Sequence, residues 1–180
     1  MKATGIVRRI DDLGRVVIPK EIRRTMRIRE GDPLEIYTDI DGEVIFKKYS
    51  PMGELAEFTS QYCEVLFKAI SMPVLIADRD HIVCSMGVSK RDAVDKRITS
   101  QLEKIMENRA TYIATSFENN ILTPVEGLDK NACIAVPIIG NGDVSGCVIV
   151  MFNDKGELPS NAEVKLAEVA AQFLGKQTEE

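Results

Sequence analysis

The first 48 residues hold about fifteen aliphatic side chains, too few to close a hydrophobic core without apolar surface from another chain. Their pattern is nonetheless that of folded structure. Strands are predicted over Gly5–Ile10, Arg15–Ile18, Leu34–Asp39 and Glu43–Lys48, with one short helix opened by Pro19, where a missing N–H costs nothing. Glu30-Gly31-Asp32-Pro33 and Asp39-Ile40-Asp41-Gly42 are turn clusters, and the second makes a hairpin of its flanking strands with Asp41-Gly42 at the tip. Strands so poor in apolar partners are expected to pair with a second copy, which makes dimerisation a condition of folding.

Charge divides the chain in the same place. Residues 2–29 carry nine Lys or Arg against Asp11, Asp12 and Glu21, a local charge of +6. Residues 30–48 reverse to −4 and residues 49–180 sum to −7, so the net charge of −5 conceals a basic head on an acidic body. On a helix starting at Pro19, Lys20, Arg23, Arg24 and Arg27 recur at i, i+3, i+4 and i+7 and share one stripe, with Ile22 and Met26 opposite. Like charges on one face repel unless an anion faces them, and the phosphate backbone of double-stranded DNA supplies that anion. Arg8, Arg9 and Arg15, on adjacent strand and loop, extend the patch; the alternative is a solvated basic face.

Thr4-Gly5-Ile6-Val7-Arg8-Arg9-Ile10, then Leu13-Gly14-Arg15-Val16-Val17-Ile18-Pro19 and Glu21-Ile22-Arg23-Arg24, resemble the AbrB-type swapped-hairpin domain over residues 1–50. The resemblance implies a dimeric β-barrel whose strands interlock across two chains and whose DNA-binding arginines map onto Arg8, Arg15, Arg23 and Arg24. Position on the patch adds Arg9 and Lys20. The family also contains antitoxins that plug a toxin with a flexible tail. Here the extension is a folded-looking stretch of about 125 residues, where an antitoxin carries a short disordered tail.

Ser50-Pro51 reads both as a linker and as the N-cap and first position of a helix, so residues 51–54 form a linker or helix start. Leu55, Phe58, Tyr62, Val65 and Ala69 then alternate at spacings of 3 and 4, widened by Leu66 and Ile70, the stripe of a helix with a partner. Met72–Ala77 and His81–Met86 read as strands around the turn Asp78-Arg79-Asp80. Helical stretches follow near Ser89–Lys96 and Thr99–Asn108, then a strand over Tyr112–Phe117. Asn131–Ile139 and Ser145–Phe152 flank Gly140-Asn141-Gly142-Asp143 as the central hairpin. Ser160-x-x-Glu163 is a capping box opening a last helix through Leu166, Ala170, Phe173 and Leu174.

Helices at both ends of an apolar antiparallel sheet, with Met72-Pro73-Val74-Leu75-Ile76-Ala77-Asp78, make residues 55–178 similar to a GAF domain. The whole two-part chain resembles a family of sporulation transcription regulators. That implies an α+β protein, a swapped-hairpin head joined to a GAF-like α/β/α body, which activates some genes and represses others. The body would sense a small-molecule effector of unknown identity. With head and body each pairing to a different copy, the smallest closed product is a homotetramer, a dimer of dimers.

Composition narrows the remaining classes. Hydrophobic residues at 44% and charged residues at 28% suit a folded soluble chain, and no window has the ~18 apolar residues of a membrane span. Met1-Lys2 leads into mixed charge without an apolar signal region, so a cytoplasmic location is expected. Cys63, Cys84, Cys133 and Cys147 show no C-x-x-C spacing and are read as small buried hydrophobes. The single histidine, His81, with nearby Cys84 makes too few ligands for zinc, so neither metal, cofactor nor catalytic residue is expected. Two rival functions remain to be weighed: an antitoxin-like autoregulator, and a thiol-dependent enzyme on a GAF scaffold, which would need a cysteine of low pKa and a resolving partner.

Overall fold

The chain parts at Tyr49, giving units Met1–Tyr49 and Ser50–Glu180 in a computed structural model that describes residues 4–118 and 121–179. In the first unit a short helix, α1 (Lys20–Thr25), precedes a hairpin of β1 (Leu34–Thr38) and β2 (Val44–Lys48), registered from Leu34↔Lys48 to Thr38↔Val44. Asp39 builds the tip: its Oδ1 accepts the N–H of Asp41 and of Glu43, both at 3.0 Å, and Gly42 takes φ +82°. Lys48 Nζ donates to the Arg27 carbonyl at 2.8 Å and lies 3.6 Å from the Asp32 carboxylate, tying the hairpin to the turn after α1.

Two of the four strands expected in this unit do not form within the chain. Gly5–Ile10 and Arg15–Ile18 carry no strand ladder. Alternating β-branched residues make a segment available for pairing, but a strand is a hydrogen-bonded ladder and requires a neighbour. The side chains report the same vacancy: Val7 is 84% exposed, Val17 70% and Ile36 62%, and Pro19 is the only buried residue among those described in this unit.

The second unit is built in the order α2 (Pro51–Glu54), α3 (Ala56–Ile70), β3 (Val74–Ala77), β4 (Ile82–Met86), α4 (Lys90–Ala93), α5 (Ser100–Glu107), β5 (Tyr112–Ile113), β6 (Ala132–Gly140), β7 (Asp143–Met151) and α6 (Asn161–Gln177). Its sheet runs β4-β3-β7-β6-β5 with every neighbour antiparallel. Asn141-Gly142 joins β6 to β7 with φ of +50° and +81°, the two positive values a type I′ turn demands. Alternation then sorts the core. Val74, Ile76, Val136, Val148 and Val150 pack on the side of α3 and α6, whereas Leu75, Ala135, Ile149 and Met151 pack with Leu102 and Met106 of α5 on the other. The layers are those expected of an α+β, GAF-like body.

Close approach is bought with glycine at two points. A Cβ on Gly146 would lie 2.2 Å from the Ala77 carbonyl, and one on Gly175 2.2 Å from that of Ile139, so β7 and α6 seat directly on backbone. Tyr62 and Phe173 stack at 5.3 Å between centroids, joining α3 to α6. Ser160 caps α6 reciprocally with Glu163, as the sequence predicts.

Three predicted elements are shorter than expected. The helix expected from the Ser50-Pro51 start through Ile70 breaks at Leu55, between the turn capped by Ser50 and α3. Ser89–Lys96 yields only α4, because Asp95 donates its N–H to the Ile82 carbonyl and Lys96 accepts from Ile82 N–H, both at 2.9 Å. Tyr112–Phe117 stays a strand only over β5, and Phe117 leaves the edge to meet Phe152 edge-on at 4.9 Å. Gly146→Ala should lower stability by about 1–3 kcal/mol through overpacking, and Ser160→Ala by about 1 kcal/mol through loss of the cap. Urea denaturation followed by circular dichroism checks both.

Candidate nucleic-acid interface

The helix carrying the basic stripe stops two residues short of Arg27, where the charge spacing would carry it. α1 closes at Thr25, Met26 is its C-cap, and Arg27 takes φ +51°. Ile28 N–H reaches the Arg23 carbonyl at 2.7 Å and Arg27 N–H that of Arg24 at 3.3 Å, the paired bonds of a Schellman ending. Arg27 therefore lies off the stripe, and α1 itself brings together only Lys20, Arg23 and Arg24. Lys20 and Arg24 are exposed and Arg23 is half-buried.

Arg15 sits on a turn made by Asp11. The Asp11 carboxylate accepts Arg15 Nε at 2.8 Å, Arg15 N–H at 2.7 Å and Leu13 N–H at 3.1 Å. These bonds, first the backbone N–H of Arg15 and then its guanidinium, hold the Asp11 carboxyl below its usual range. Arg8 and Arg9 are exposed on the unpaired segment before this turn, with Arg8 Nη1 donating to the neighbouring Val7 carbonyl at 3.2 Å. Within one chain the six predicted contact residues thus form three groups: Arg8 with Arg9, Arg15 on its turn, and the stripe of α1. Lys2, counted in the basic segment, lies outside the described residues. Sequence reasoning missed Asp11 as the partner of Arg15; the signal was their i, i+4 spacing across Leu13-Gly14.

The thiols of the second unit are sealed in its core. Cys63, Cys133 and Cys147 are 0% exposed and Cys84 4%. A hydrogen bond with Cys84, then burial, pushes the Cys63 thiol up; burial pushes Cys133 up to about 12 and raises Cys147 as well. Cys84 Sγ turns toward the Thr59 carbonyl of α3 at 3.6 Å. Among the described residues no three His, Cys, Asp or Glu side chains gather into a metal-holding group.

Residues 54–179 match the family described as Stage V sporulation protein T C-terminal, transcription factor. Residues 7–53 match that described as Antidote-toxin recognition MazE, bacterial antitoxin. Over 182 aligned positions the chain is 49% identical to Stage V sporulation protein T of Bacillus subtilis strain 168, covering 100% of each. Its head is 65% identical over 51 residues to Transition state regulatory protein AbrB of the same strain, covering 28% of this chain and 52% of that one. The body is similar in fold to the GAF domain of an Acinetobacter phosphoenolpyruvate-protein phosphotransferase, at 14% identity and TM-score 0.56, covering 73% of this chain and 84% of that one.

Arginine in the left-handed region costs about 1 kcal/mol or more that glycine does not incur. Arg27→Gly should slow amide exchange across α1 accordingly. Ellman's reagent should label none of the four cysteines in the folded protein and all four after denaturation.

Proposed function

The chain belongs to the stage V sporulation protein T family of transcription factors, and from that membership we propose that it regulates sporulation genes by binding double-stranded DNA through its head. Arg8, Arg9, Arg15, Lys20, Arg23 and Arg24 make the contacts. The observation that carries this reading is the basic segment of +6 within a likeness that runs the full length of the chain.

Residues 1–50 act as the DNA-binding domain, 51–54 as the junction and 55–178 as the GAF-like domain. Two heads interlock, each filling the other's missing strand positions; the exposure of Val7, Ile10, Val17 and Ile36 supports this. Bodies pair through the outer faces of α3 and α6, where Val65 is 63% exposed and Val169 56%, with Leu166 and Phe173 beside them. The two contacts join different copies into a tetramer. A small-molecule effector acts by preferring one of two arrangements of the body, which raises occupancy at some promoters and lowers it at others.

The protein works in the cytoplasm; no described helix is long and apolar enough to cross a membrane. A folded body in place of a short tail favours a regulator over an antitoxin, and the sealed thiols favour it over a thiol enzyme. A dimeric head neutralising about eight phosphates should give a log K against log salt slope of roughly −7, reduced in magnitude by about three to four when Arg23 and Arg24 are both changed to alanine, since the dimer then loses four arginines. A flat salt dependence would exclude the reading. Light scattering should return a tetramer for the full chain.

A further inference from the structure

Asp11 is an anion inside the segment that a polyanion must approach. Repulsion from it weakens every encounter with phosphate, so its presence calls for a compensating effect. The carboxylate divides two tasks between its oxygens. Oδ1 accepts the N–H of Leu13 at 3.1 Å and of Arg15 at 2.7 Å, and two backbone bonds of 3.0 Å, Asp11 N–H to Arg15 C=O and Gly14 N–H to Asp11 C=O, complete the turn. Oδ2 takes Arg15 Nε at 2.8 Å.

That second contact fixes the guanidinium by its inner nitrogen. The Nη1–Nη2 fork is the edge that grips a phosphate or the O6 and N7 of guanine, and it stays available. The Arg15 side chain is 69% exposed and that of Asp11 36%, so the pair stands at the surface where a duplex can reach it. An arginine already oriented loses less rotamer freedom on docking than one that samples solvent.

We propose that Asp11 is a positioning residue for DNA recognition, holding the Arg15 guanidinium so that general attraction to phosphate falls and discrimination among sequences rises. The proposal rests on the DNA-binding reading above. Local charge and positioning move different quantities, which makes them separable.

The test uses the full chain and two duplexes: one selected by the unaltered protein from a random-sequence pool, and a scrambled version of equal length and composition. Asp11→Asn keeps an oxygen for the N–H groups of Leu13 and Arg15 but presents Nδ2, which cannot accept from Nε, to the guanidinium. Affinity for the scrambled duplex should rise about two- to fivefold as a repelling charge disappears. The ratio of selected to scrambled affinity should fall about five- to tenfold. Asp11→Ser, which also retains a turn-forming oxygen, should change both quantities in the same directions. With Arg15→Ala already in place, Asp11→Asn should still raise scrambled affinity while leaving the ratio unmoved. An unchanged ratio in both single variants overturns the proposal, as does an equal loss of ratio in the Arg15→Ala background. If the unaltered protein enriches no sequence and binds both duplexes alike, the DNA-recognition reading itself fails, and the positioning role with it.

Discussion

A core needs apolar area, and the first unit exposes its own to water. Val7, Ile10, Leu13, Val16, Val17, Ile36 and Phe46 all lie exposed in the unit that also holds the basic segment. Hydrophobic burial is the main favourable term in folding, so a unit arranged this way gains its stability only when something covers those side chains. In the proposed dimer a second copy would do so with identical strands and double the arginines in the same step. On the proposed dimer, folding and the assembly of a DNA-binding surface are therefore one event.

The second unit satisfies itself. Its sheet is covered on both faces, by α3 and α6 on one and by α5 with its flanking loops on the other, and the strands read as near-continuous apolar runs. Seating a helix that closely requires backbone without side chains at the contact, which Gly175 provides against Ile139. The apolar residues left outside on α3 and α6 are few and lie on the faces turned away from the sheet, so they bear on association between copies more than on the stability of one.

How much of this was legible in the sequence depended on whether the cause was local. The I′ turn at Asn141-Gly142 and the capping box of Ser160 and Glu163 are each specified by residues within a few positions of one another, and each forms as read, whereas α3 buries Thr59, Cys63, Leu66 and Ile70 and leaves Val65 and Ala69 of the expected stripe exposed. Misses came where residues distant in sequence competed: the Ile82 backbone takes the hydrogen bonds that would have continued α4, and the Phe117 ring packs on that of Phe152 away from the sheet edge. Arg27 is a subtler case. Charge spacing placed it on the helix, whereas the Schellman bonds of Ile28 and Arg27 had already ended α1. Gly5–Ile10 and Arg15–Ile18 of the head were visible as propensity, but no strand of the described residues pairs with them. The arginines were legible as charges; that Asp11 holds one of them was carried in the sequence only by an i, i+4 spacing outside any helix.

Segregated charge does what the net charge cannot. At physiological ionic strength the Debye length is about 8 Å, so a duplex responds to the side chains it touches and very little to the chain's total of −5. The basic head attracts it, and an acidic surface of −7 on residues 49–180 repels it only on contact. On the proposed reading, non-specific attachment is thereby directed to the basic head. Asp11 applies the same rule at the scale of a single side chain. A carboxylate among arginines lowers the depth of the electrostatic well for all sequences alike, and selectivity improves if the orientation it imposes strengthens contact with only some of them.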